Sequence, residues 1–143
     1  MAKAIWFDMD GTIADLYGVD EWLPKLRAYD PTPYAMAKPL VRMASLARVL
    51  NRLQKEGYQI GIVSWLSKTS TKEYDEAVAT AKREWLKKHL ASVKFDAIDI
   101  LAYVTPKHEV SNGILFDDEM KNRIEWKGEA HDEKNIIEKL KAL

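Results

Sequence analysis

Four short apolar runs, separated by segments of helical period, constrain the fold more than any other feature of this chain. They are "AIWF" at 4–7, "YQIGIVS" at 58–64, "AIDILAYV" at 97–104 and "GILFDD" at 113–118. Near-continuous hydrophobicity marks strands buried on both faces, and such strands belong to parallel sheets covered by helices. Residues 40–56 place Leu40, Met43, Leu46, Ala47, Leu50 and Leu53 at three- and four-residue spacing, an amphipathic helix ended by Gly57. Residues 72–90 predict another helix, with Trp85 and Leu86 facing the core and Lys82, Arg83, Lys87 and Lys88 in solvent. "IEWKG" at 124–128 reads as a short fifth strand, and 132–142 as a closing helix with Asp132 as its N-cap. The alternation predicts an α/β fold built on a parallel sheet.

With 143 residues the chain fits one domain, 1–143, with a proper core. Residues 16–39 break the rhythm. They hold four of the five prolines together with Tyr17, Trp22, Tyr29 and Tyr34, too long a segment for a tight loop after the first strand. We read them as a small insertion lying over the sheet. Lys+Arg and Asp+Glu are 22 each, which argues against bulk electrostatic attachment to nucleic acid or membrane. No apolar run approaches membrane-spanning length, and "MAKAIWFDMD" reaches a charge too early for a signal peptide. The absence of cysteine removes disulfides and thiolate metal sites and fits a cytoplasmic location.

Ligands of open α/β sheets bind at the carboxyl ends of the strands, and here those ends carry chemistry. The first ends in Asp8-Met9-Asp10, the second in Ser64 and the fourth in Asp117-Asp118, with Lys107 just past the third. Asp8 and Asp10, two apart on a strand, can face one site. Gly11 permits a sharp turn, and Thr12 offers a hydroxyl and a backbone N–H beside it. If Asp117 joins them, three carboxylates converge, and keeping them ionised calls for a hard divalent cation, Mg²⁺. An acid on a metal is a poor proton carrier, so the two aspartates of the pair divide the labour. Lys107 suits phosphate oxygens, with Lys68 and Lys72 as alternatives, and Ser64 donates from its hydroxyl. These parts suit phosphoryl transfer through an aspartyl phosphate.

"DMDGT" behind an apolar strand resembles the signature of the haloacid dehalogenase superfamily, its phosphatase-type members in particular. A strand ending in Ser64, then Lys107, then a strand ending in Asp117-Asp118 follow in that family's order, over residues 5–118. The resemblance implies Asp8 as nucleophile, Asp10 as general acid/base, and Mg²⁺ held by Asp8, the Asp10 carbonyl and Asp117. It also implies a three-layer Rossmann-like parallel sheet with helices on both faces, and Ser64 and Lys107 holding the transferring phosphate; Gly11 and Thr12 are further candidates for binding it.

Other residues have competing roles. Asp118 either positions the metal through water or caps the following helix, and Asn122 either supports the loop or lies in solvent beside Glu119. His108 is read as a surface residue and Asp15 as a structural turn cap. The insertion is smaller than a full cap, so the site is expected to be open, or closed by a neighbouring subunit. An open site suits a phosphorylated small molecule or a nucleic-acid end. Tyr17, Trp22 and Trp65 are candidate stacking contacts, which leans the substrate towards nucleotide phosphate. The competing classes are a catalytically inactive binding module of the same family and a phospho-receiver signalling domain. In the latter the phosphorylated aspartate sits on a middle strand, where this chain has Ser64.

Overall fold

The structure, a computed structural model, describes residues 3–68 and 70–143. Strands β1 (Lys3–Phe7), β4 (Tyr58–Trp65), β5 (Ala97–Leu101), β6 (Ile114–Phe116) and β7 (Ala130–His131) form one parallel sheet in the order β5-β4-β1-β6-β7. The first strand is therefore central, and the acid-bearing ends of β1 and β6 lie side by side, with the Ser64 end of β4 on the other side of β1. A second, two-stranded antiparallel sheet pairs β2 (Ala14–Asp15) with β3 (Lys38–Pro39).

One face of the main sheet presents Ile5, Phe7, Ile60, Ile62 and Phe116, with the Phe7 and Phe116 rings stacked at 5.3 Å. Helices α3 (Met43–Lys55), α4 (Lys72–His89) and α7 (Ile136–Lys141) cover it with Leu46, Leu50, Leu53, Trp85, Leu86, Ile136 and Leu140. The opposite face carries Trp6, Val63 and Leu115 under Trp126. Gly61 lies beneath the Trp6 indole, where a Cβ would stand 2.5 Å from two ring carbons. The expected α/β architecture is thus the observed one, and it follows from strands whose two sides are both apolar.

Residues 16–37 leave and rejoin the body through the β2–β3 clamp. They form a 3₁₀ turn (Leu16–Gly18) and helices α1 (Trp22–Arg27) and α2 (Thr32–Met36). Leu16 and Tyr34 pack with Tyr74 and Val78 of α4, so the segment rests on that helix. Asp15 accepts from the Gly18 N–H at 3.0 Å, a turn cap.

The boundaries differ from the expectation in four places. α3 starts at Met43 because Pro39 pairs in β3 and the Leu40 N–H reaches the Ile13 carbonyl, leaving Leu40 exposed. β5 stops at Leu101, and a turn carrying Val104 at φ 62° follows. The fifth strand does not lie at 124–128. Helix α6 (Met120–Glu125) ends inside that span, with Asn122 and Trp126 four apart and both buried while Ile124 is exposed, and β7 takes the sheet edge. Asp132 does not cap α7: it accepts from Lys134 in a local turn, and the helix begins after Asn135. Among the described residues no helix is long and apolar enough to cross a membrane.

Candidate active site

The Asp8 N–H donates to the Phe116 carbonyl at 2.9 Å, which ties the end of β1 to β6. Beyond it the Met9 side chain turns into the core, and its carbonyl accepts from the N–H groups of Thr12, Ile13 and Ala14. Gly11 makes this turn with φ +82°, and a Cβ there would collide with the Asp118 carboxylate. Thr12 Oγ1 stands 3.1 Å from Asp8 Oδ2 and 3.2 Å from Asp118 Oδ1, so one hydroxyl proton serves two carboxylates, and it accepts from the Asp118 N–H.

Asp117, at the end of β6, is fully buried. Its Oδ1 accepts from the Glu119 N–H at 2.9 Å, and its Oδ2 from Asn122 at 3.1 Å and Lys107 at 2.6 Å. Lys107 opens helix α5 (Lys107–Val110) and also donates to Asp8 Oδ1 at 3.0 Å. Its ammonium lies 5.2 Å from the Trp65 ring centroid. Asn122 is thus a buried support of Asp117. Asp118 does not cap α6, whose N-cap is Glu119 without a side-chain bond.

Carboxylate oxygens of Asp8, Asp117 and Asp118 lie within 4.8 Å of one another. Burial and the Asp8 charge push the Asp117 carboxyl up to about 6 and that of Asp118 to about 8. Burial alone would depress the Lys107 ammonium, but Asp8 and Asp117 outweigh it and hold its pKa above the ordinary value. A cluster of oxygen donors with more negative charge than one lysine neutralises fits a hard divalent cation. The residues able to hold it are Asp8, Asp117 and Asp118; the Asp10 side chain lies outside this group.

Asp10 goes elsewhere, and here the sequence reading needs correction. Lys82, expected in solvent with Arg83, Lys87 and Lys88, is 1% exposed and donates to Asp10 Oδ2 at 3.0 Å. It also donates to Ser64 Oγ and the Trp65 carbonyl, each at 2.7 Å. The other three cations are exposed as expected. Burial, reinforced by the Asp8 charge and opposed by Lys82, raises the pKa of Asp10 above the usual carboxylate value.

A cavity of about 280 Å³ opens over this constellation, with Asp8, Asp10, Lys107 and Asp117 at its base. Tyr17 and Trp22 meet edge-to-face at 5.0 Å, Trp65 and Tyr103 at 5.5 Å, and all four line it. Burial and the charges of Asp10, Asp118 and Asp8 raise the Tyr17 hydroxyl's pKa, which keeps it neutral. Lys68 is exposed and lines the cavity, whereas Lys72 is exposed at the start of α4. Ser64 and Thr12 are wholly buried behind the cavity wall. Partly buried His108 points towards Glu125, 4.0 Å away. Lys82 was legible in principle, since Val78, Lys82, Trp85 and Leu86 share one helical face.

No protein-family model matches the chain, and no curated protein matches it. Among solved structures, the D,D-heptose 1,7-bisphosphate phosphatase from Burkholderia thailandensis is similar, with a TM-score of 0.50 and 16% identity over 84% of this chain and 68% of that one. The likeness is one of fold. Both chains share a parallel, Rossmann-like α/β sheet surrounded by helices.

Proposed function

We propose that the protein is a Mg²⁺-dependent phosphohydrolase that cleaves a phosphate monoester through a phosphorylated Asp8. The observation that carries this reading is the separation of two aspartates only two residues apart. Asp8 stands with Lys107 in the cluster of three carboxylates, and Lys82 holds Asp10 apart from it. That separation suits a nucleophile and a proton carrier working on opposite sides of one phosphorus. The fold shared with a heptose bisphosphate phosphatase agrees with it.

An Asp8 carboxylate oxygen attacks phosphorus, and the bond from phosphorus to the leaving oxygen breaks. Asp10, its pKa raised by burial, gives its proton to that oxygen. Water then attacks the phosphoryl-aspartate with Asp10 taking its proton, and inorganic phosphate leaves. Lys107 faces the charge gathered on the phosphoryl oxygens. Ser64, behind the cavity wall, accepts from Lys82 and so anchors the ammonium that holds Asp10. Bound Mg²⁺ supplies charge neutralisation for the phosphoryl group and for Asp8, Asp117 and Asp118.

Segment 16–39 serves as a small lid wall, and its aromatic residues with Trp65 and Tyr103 receive the leaving group. Stacking surfaces favour a nucleotide or the phosphorylated end of a nucleic acid, with sugar phosphates as the comparison class. The test is turnover of a chromogenic phosphate ester with Mg²⁺, followed by a panel of nucleotides, end-phosphorylated oligonucleotides and sugar phosphates. Wild type is expected to be active and Asp8→Asn inactive; activity that survives Asp8→Asn overturns the mechanism.

A further inference from the structure

Asp8 and Asp10 differ in how firmly they are held. Asp8 is fixed from two sides, by Lys107 on Oδ1 and Thr12 on Oδ2. Among the described residues, the Asp10 carboxylate has one hydrogen-bond partner, Lys82, although its side chain is only 17% exposed. The orientation of Asp10 therefore depends on one buried ammonium.

That ammonium is unusually well constrained. An ammonium has three donors, and Lys82 uses all of them, on Asp10 Oδ2, Ser64 Oγ and the Trp65 carbonyl. Two of these acceptors sit at the end of β4, so the sheet fixes Nζ independently of the β1 turn. The Tyr34 ring covers it at 5.2 Å, and the Tyr34 hydroxyl pairs with Ser67 at 2.9 Å. Lys82 has no donor left for a substrate.

We infer that Lys82 is a positioning residue that pins one oxygen of Asp10 and presents the other to the cavity for proton transfer. The inference rests on the phosphohydrolase reading, and it assigns a role to a lysine outside the four motifs. Without Lys82 the carboxylate rotates freely, and misplacing a reacting group by about 1 Å costs on the order of 10²-fold in rate. The loss should fall where protonation matters, on esters with poor leaving groups.

The experiment compares single-turnover formation of the phosphoryl-enzyme from an alkyl phosphate and from an aryl phosphate with a good leaving group. In Lys82→Met we expect a loss of about 10²-fold for the alkyl ester and less than about 5-fold for the aryl ester. In an Asp10→Asn background the same substitution should have little further effect, because the group it positions is gone. Thermal denaturation establishes that the variants are folded. Where Lys82→Met does not fold, Lys82→Gln, which keeps donor N–H groups, carries the same comparison with a smaller leaving-group-dependent loss. Equal losses for both esters, or a full loss repeated on Asp10→Asn, would overturn the inference while leaving the phosphohydrolase reading intact. A wild type without Asp8-dependent turnover would overturn both.

Discussion

Lys107→Met removes the cation that holds two buried carboxylates together. Lys107 and Asp117 side chains are 2% and 0% exposed and that of Asp8 10%, at 2.6 and 3.0 Å from the ammonium. Breaking a buried pair by deleting one partner costs on the order of 3–5 kcal/mol, because the other charge stays uncompensated. Proton uptake limits the loss, since Asp117 and Asp118 already sit at about 6 and about 8. The lower end follows: about 3 kcal/mol at neutral pH without divalent cation, or a melting temperature lower by roughly 10 °C for a domain of this size. The loss should shrink at pH 5, where Asp117 and Asp118 hold protons, and millimolar Mg²⁺ should restore most of it by replacing the missing charge. Thermal unfolding followed by fluorescence of the five tryptophans, with and without Mg²⁺ and at both pH values, reads all of this. A loss independent of pH and of Mg²⁺ would refute the electrostatic reasoning and leave Lys107 as a packing residue.

Wild-type stability should also depend on pH with a definite sign. Asp117 and Asp118 have folded-state pKa values above their ordinary 3.8, so between pH 3.8 and about 8 the folded protein binds more protons than the unfolded chain. Stability in EDTA should therefore fall as pH rises through that window, whereas with Mg²⁺, which needs the deprotonated acids, the slope should flatten or reverse. Stability that rises with pH in EDTA contradicts the clustering of the acids. Gly61→Val should destabilise by about 1–3 kcal/mol in urea unfolding despite valine's preference for strands, because its Cβ meets the Trp6 indole. An unchanged midpoint would mean that the indole moves without cost.

The sheet and three of its strand ends were legible because parallel strands bury both faces and so read as unbroken apolar runs. β7 was not: two residues are too short to show any period. "IEWKG" misled because Ile124 and Trp126 alternate as a strand would, while the buried pair Asn122–Trp126 keeps helical spacing. At the site, Asp8, Asp10, Lys107 and Asp117 announced themselves by position. Lys82 did not, because a lysine on a helix is ordinarily solvated, and only its membership of the Val78–Leu86 face spoke against that. Asp118 was ambiguous because an acid before a helix suits a cap as well as a metal; its approach to Thr12 is a tertiary contact between residues far apart in the chain.

The central claim is that Asp8 carries the phosphoryl group. Acid quenching during turnover with Mg²⁺, followed by peptide mass spectrometry, tests it most directly. The account predicts one acid-stable, base-labile phosphoryl group on the peptide containing Asp8, longer-lived in Asp10→Asn and absent in Asp8→Asn. Turnover with no such adduct, or an adduct on another residue, would contradict it.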